Sequence, residues 1–111
     1  MARPRVHIAS VGLAANPSLY RKLNFEQQKD LEPISLIANS PTVLVVPPSL
    51  PVNSLAEFIA YAKANPGKVS YASAGNGVAN HLAGELFKQM AGVDIVHVPY
   101  KGAPQAVSDV L

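Results

Sequence analysis

From residue 42 onward, short runs of β-branched residues alternate with segments that repeat apolar side chains at helical spacing, and few folds accept that order. Residues 42–46 are a continuous apolar run closed by Pro47 and Pro48. A run of that length and composition reads as a buried strand rather than a helix. Ser54 with Glu57 three residues later is a capping box, and Leu55, Phe58, Ile59 and Ala62 follow on one helical face. Asn65-Pro66-Gly67 ends that helix, because proline disfavours helical geometry at the residue before it. Residues 69–72 read as the next strand. A glycine-rich loop follows, then a helix with Ala79, Leu82, Ala83, Leu86 and Met90 on one face. Lys88 falls in its last turn and Gly92 suits its end. Residues 95–98 give another strand, and Gly102-Ala103-Pro104 opens a further helix. The predicted order is β-α-β-α-β-α, which implies an α/β domain with a mainly parallel sheet and flanking helices.

Before residue 41 the pattern is less regular. Residues 6–10 and 34–38 read as strands, Gly12 as the start of a loop, Asn16-Pro17 as a turn or helix start, and residues 24–30 as a surface connection. The 111 residues suffice for one compact domain. Hydrophobic residues make up 49% and charged ones 14%, which supports a packed core and argues against disorder. A formal charge of +2 is too small and scattered for a nucleic-acid surface. The densest basic group, Arg3, Arg5, Arg21 and Lys22, reads as solvated ends and loops. Without cysteine there is no disulfide, thiol nucleophile or thiolate metal site. No run approaches the roughly 18 to 20 apolar residues of a membrane helix. The start Met-Ala-Arg-Pro-Arg has no apolar segment behind it, so no signal peptide is read in this chain.

Ligands of parallel α/β sheets bind beyond the carboxyl ends of the strands, and two loops here run from a strand end to a helix start. The first is Ser73-Ala74-Gly75-Asn76-Gly77-Val78-Ala79-Asn80-His81. Gly75 and Gly77 allow a tight turn and close approach of the backbone to a ligand. The helix start behind them offers free N–H groups and partial positive charge, which suit an anion. Ser73, Asn76 and Asn80 add side-chain hydrogen-bonding groups. The same letters also describe an ordinary strand-to-helix turn capped by Asn or Ser. A phosphate P-loop is excluded because Gly77 is followed by Val78 rather than by Lys. A dinucleotide fingerprint is excluded because Asn80 stands where its third glycine belongs. The second loop carries Tyr100 and Lys101, a ring and a cation at another helix start.

His7, His81 and His97 have no ligand partners at metal-binding spacing. His97 alternates with Val96 and Val98 on a strand and reads as structural. His81, in the first helical turn, either touches a ligand or braces the loop. Ser73, His97 and Asp94 can be assembled into a triad on paper. The Gly-x-Ser-x-Gly elbow that would expose such a serine is missing, so no catalytic residue is assigned.

The run Ser-Leu-Ala-Glu-Phe-Ile-Ala-Tyr-Ala-Lys-Ala-Asn-Pro-Gly-Lys-Val-Ser-Tyr-Ala-Ser-Ala-Gly-Asn-Gly closely resembles the tripartite tricarboxylate transporter receptors, the TctC-like or Bug proteins. So do His-Leu-Ala-Gly-Glu-Leu-Phe and His-Val-Pro-Tyr-Lys-Gly after it, and Ala-Asn-Pro-Ser-Leu-Tyr and Leu-Glu-Pro-Ile-Ser-Leu-Ile-Ala before it. The resemblance implies a periplasmic-binding-protein fold of the second type, of which this chain would be a part. Residues 1–40 would be the tail of a first lobe and residues 41–111 the first half of a second. It implies an extracytoplasmic solute receptor, periplasmic in its full-length form, that binds a small carboxylate without catalysis or cofactor and serves membrane transporter subunits. The family's carboxylate loop corresponds here to Ser73, Gly75, Asn76, Gly77, Val78, Ala79, Asn80 and His81. Val78 departs from the hydroxyl residue often found there, which removes a side-chain donor and leaves the backbone donors of Val78 and Ala79. Gly12-Leu13-Ala14 would face the cleft from the first lobe and is unusually apolar. The alternative is a truncated segment that folds, as a homo-oligomer, without binding ligand.

Overall fold

A computed structural model describes residues 5–111. Arg3 and the first letters of the basic start lie outside the described residues, whereas Arg5, Arg21 and Lys22 are exposed. The chain divides into two compact units, Met1–Ser40 and Pro41–Leu111.

The first unit holds α1 (Val11–Leu19) and α2 (Gln27–Asp30). Neither strand expected there is formed. Residues 6–10 and 34–38 have no regular structure, and Ile34 and Leu36 are 84% and 85% exposed. A strand needs a partner for its backbone N–H and C=O groups, and none lies beside either run among the described residues. Gly12 and Asn16-Pro17 lie inside α1 rather than in a loop or at a helix start. Ser10, in extended geometry, starts this helix, and its carbonyl accepts from the Leu13 N–H at 3.0 Å. The surface connection expected at residues 24–30 contains the single turn α2, where the Asp30 carboxylate accepts from the Glu26 N–H at 2.7 Å.

The second unit runs α3 (Leu55–Ala64), β1 (Val69–Ser73), α4 (Ala79–Ala91), β2 (Ile95–Pro99) and α5 (Ala103–Val110). The two strands pair in parallel with Val69 opposite Ile95 and Tyr71 opposite His97, and α4 makes the crossover. This is an α/β arrangement with a parallel sheet and flanking helices. The strand expected at residues 42–46 is missing. Those residues are exposed, Val43 to 74%, and have no ladder partner among the described residues. Their composition suits burial, but no composition supplies hydrogen bonds to an isolated strand.

Helix ends follow the local signals. Ser54 Oγ accepts from the Glu57 N–H at 3.2 Å, while the Glu57 carboxylate reaches one residue past the usual target to the Asn53 N–H at 2.7 Å. Asn65 closes α3 by donating from its side chain to the Tyr61 carbonyl at 2.9 Å. Gly92 ends α4 in the left-handed region at φ 61°, and the next amide, of Val93, bonds back to Lys88 O at 3.2 Å.

The core is small and lies where α3 and α4 meet the strands. Ala62, Val93 and Ile95 are buried, with Ile59, Val69, Tyr71, Phe87 and Ala91 packed against them. Phe58 stacks obliquely on Phe87 at 6.0 Å. The inward face of α4 is therefore Gly84, Phe87 and Ala91, not the stripe expected from the sequence. Leu86 and Met90 are 56% and 78% exposed. The reason lies at Gly84, where a Cβ would sit 2.3 Å from a Tyr71 ring carbon. Only glycine leaves room for the Tyr71 ring there, which puts Gly84 on the face of α4 that meets β1.

Candidate functional site

The Ser73–His81 loop leaves the end of β1 and enters α4, with Gly75 at φ 141° and Gly77 at φ 77°. Both angles favour glycine, because a Cβ there would meet the neighbouring peptide. Gly75 also lies close to the second loop, since a Cβ on it would stand 3.6 Å from Tyr100 O. The two loops are tied by the Tyr100 N–H, which donates to Ser73 O at 2.9 Å and carries the parallel pairing one step past β2.

Val78 precedes α4 in extended geometry without a side-chain cap, and the first helical bond runs from the Leu82 N–H to Val78 O at 3.1 Å. The N–H groups of Val78, Ala79, Asn80 and His81 therefore find no acceptor among the described residues. Together with the helix dipole they form a positive end fit for a small anion. Gly77 is buried, Asn76 and Ala79 are exposed, and Asn80 is half-buried. Asn80 also lines an apolar groove of about 650 Å³, together with Ala83, Gly84 and Phe87 of α4, residues of α5, and Val43.

Ser73 takes a different place from the one its letter suggests. It is fully buried, and its Oγ contacts Gly75 O at 2.9 Å, the Gly75 N–H at 3.2 Å and His97 Nε2 at 2.6 Å. A hydroxyl has one proton and two lone pairs. If it donates to the Gly75 carbonyl, it accepts from Gly75 N–H and from a proton on His97 Nε2, and all its capacity is used. Ser73 thus braces the glycine turn from inside the molecule, with no exposed surface of its own. Burial removes the paper triad, since a hydroxyl with no exposed surface meets no substrate.

Three rings lie under the loop. His81 stacks on His97 with centroids 4.0 Å apart and planes 12° apart, and Tyr71 also stacks on His97, at 5.0 Å. His81 Nδ1 accepts from the Gly77 N–H at 2.9 Å, which leaves its proton on Nε2. Burial is the main reason the His97 imidazole is held below its usual range, with His81 and Lys88 adding repulsion and Glu85 opposing them. The Tyr71 hydroxyl donates to Glu85 at 2.7 Å and lies 3.3 Å from the His81 carbonyl. Its titration is pushed well up, first by burial and then by the Glu85 carboxylate. That hydrogen bond in turn is the leading cause holding Glu85 below the ordinary carboxylate range, with Lys88 at 3.3 Å assisting.

Sequence reasoning found the loop but missed Tyr71, Gly84 and Glu85 as its support. The strand register places Tyr71 opposite His97, and that pairing is the signal that would have found them. In the second loop Lys101 is exposed, and Tyr100 reaches along α5 to donate to Asp109. No group of three or more His, Cys, Asp or Glu that could hold a metal occurs among the described residues. No helix there is long and apolar enough to cross a membrane.

The family model of the tripartite tricarboxylate transporter family receptors, TctC, matches residues 5–111. The UPF0065 protein in the tcbD-tcbE intergenic region of Pseudomonas sp. (strain P51) is 39% identical over 104 residues, covering 94% of this chain and 31% of that protein. Protein BugT of Bordetella pertussis is 40% identical over 103 residues, covering 93% of this chain and 32% of BugT. Among solved structures, R. palustris Rpa4515 with adipate aligns at TM-score 0.72 and 41% identity, over 82% of this chain and 30% of that one. A structure described as a periplasmic transporter aligns at TM-score 0.74 and 42% identity, over 91% of this chain and 33% of that one. The chain thus spans about a third of the length of these relatives. With the family model matched along nearly its whole length, this chain belongs to the tripartite tricarboxylate transporter receptor family.

Proposed function

We propose that the second unit contributes an anion-holding loop to a periplasmic solute receptor, which binds a small carboxylate without chemistry and passes it to membrane transporter subunits. The observation that carries this reading is the set of amides from Val78 to His81 that find no acceptor among the described residues, presented beyond two left-handed glycines. A carboxylate is the simplest ligand for such a group, because it accepts several N–H bonds and meets the positive end of the helix. The similar structure with adipate supports the same class of ligand. Gly75, Asn76, Gly77, Val78, Ala79, Asn80 and His81 form the loop in this reading, with backbone groups as the main donors and Ser73 as an internal brace. Residues 1–40 then belong to a first lobe and residues 41–111 to the first half of a second.

The test is a two-dimensional amide NMR titration of the 111-residue chain with adipate, repeated with Gly77→Val. The Val78, Ala79 and Asn80 amides should move in a saturable way, and the substitution should abolish the movement. Absence of any movement in this loop at high adipate would sink the reading.

A second reading rests on the apolar surface of this unit, where Val43, Val45 and Leu111 are 74%, 67% and 87% exposed beside the groove. The segment in that case folds by pairing copies and holds no ligand. Light scattering that finds a monomer would remove it.

A further inference from the structure

A turn with two left-handed glycines is intrinsically loose, because glycine has more backbone freedom to lose than any other residue. Something has to hold it. On one side Ser73 Oγ bonds both the N–H and the carbonyl of Gly75. On the other, the sole side chain that bonds Gly77 among the described residues is His81, whose Nδ1 accepts from the Gly77 N–H at 2.9 Å. The peptide amide of Gly77 is thereby turned down into the molecule, while the amides that follow it stay open.

This hold depends on the protonation state of one atom. A proton on His81 Nδ1 would set N–H against N–H, and the Gly77 peptide would have to rotate away. The His97 ring stacks on His81 from β2 at 4.0 Å, and its own Nε2 is engaged with Ser73. Tyr71 on β1 places its hydroxyl 3.3 Å from the His81 carbonyl and 2.7 Å from Glu85. Glu85, one turn further along α4, is shared between Tyr71 and Lys88.

We propose that His81 is a positioning residue that acts through Gly77: its unprotonated Nδ1 sets the glycine turn that aims the α4 amides, and acidification releases that turn. The consequence for ligand affinity rests on the carboxylate reading above, whereas the coupling of His81 to Gly77 does not.

The experiment follows the His81 and His97 ring signals and the Gly77 amide by NMR in the whole chain from about pH 8 to about pH 5.5, the range in which histidine changes charge. The Gly77 amide shift should track the His81 ring, and its hydrogen exchange should accelerate on the acid side. Adipate affinity should weaken by about fivefold over the same range, the factor of one ordinary hydrogen bond. His81→Asn keeps an acceptor near the Nδ1 position but cannot titrate, so its Gly77 amide and its affinity should stay flat. The proposal is overturned if the Gly77 amide stays fixed while the His81 ring titrates, or follows His97 instead. It is equally overturned if affinity rises on acidification, which would make His81 a direct charge on the ligand. If adipate binds at no pH, the carboxylate reading falls, and the Gly77 amide alone still decides the positioning role. Should His81→Asn fail to fold, the titration of the unaltered chain decides it.

Discussion

Gly84→Ala sets two effects of opposite sign against each other, and the structure says which wins. Glycine inside a helix costs about 1 kcal/mol relative to alanine, so propensity alone predicts a more stable protein. The new Cβ, however, would lie 2.3 Å from Tyr71 Cε2 and 2.5 Å from Cζ. Ordinary carbon contacts are about 3.5 to 4.0 Å, so the ring must retreat by roughly an ångström. It has little freedom to do so, being stacked on His97 at 5.0 Å and tied through its hydroxyl to Glu85 at 2.7 Å. Overpacking of this kind costs typically about 1 to 3 kcal/mol, and a hydrogen bond pulled out of line adds about 1 kcal/mol. After the propensity gain is set against these, Gly84→Ala should destabilise the second unit by about 1 to 3 kcal/mol. Urea denaturation followed by circular dichroism would measure it. In a Tyr71→Val background the clash is gone, and the same change should become stabilising by about 1 kcal/mol. A stabilising Gly84→Ala in the unaltered chain would refute the argument that this glycine exists to admit the Tyr71 ring.

Two further outcomes follow from the same geometry. Gly92→Ala should cost about 1 kcal/mol in the same assay although open space surrounds the site, because φ is 61° and the penalty is conformational. Stability should also fall on the acid side for two separable reasons. His97, favoured neutral in the fold, contributes stability above the ordinary imidazole range that is lost as pH drops through its lowered folded value. Glu85, favoured ionised by Tyr71 and Lys88, contributes above the ordinary carboxylate range and loses that further down. Glu85→Gln should flatten the lower limb of a Tm-against-pH curve and, by removing the carboxylate that favours a charged His97, move the upper limb further toward acid; an unchanged lower limb would count against this assignment.

What the sequence made legible was what neighbouring residues decide. Ser54, Asn65 and Gly92 mark helix ends through bonds to residues within five positions, and each acts there in the structure. Strands β1 and β2 were legible because α4 brings them together at a separation the sequence itself displays. Residues 6–10, 34–38 and 42–46 carry the composition of strands, yet a strand is completed by another part of a sheet, and composition holds no information about whether that part is present. The inward face of α4 was misread for a related reason. Periodicity counts Leu86 and Met90 as core, whereas the packing turns on Tyr71 lying over Gly84 from a different element. The loop was visible through its glycines. Its supports were not, since His97 to Ser73 and Tyr71 to Glu85 join positions that meet only after the sheet has formed.

The exposed run at residues 42–46 bears on how the molecule avoids its copies. Thr-Val-Leu-Val-Val has no charge and strong β preference, the makeup of a segment that stacks into cross-β fibrils once it is left uncovered. Pro41 stands directly before it and Pro47-Pro48 directly after. Each proline lacks an amide proton, so any intermolecular ladder begun on this run is interrupted at both ends after five residues. The prolines fit the pattern of gatekeepers, and replacing them should favour aggregation through this run.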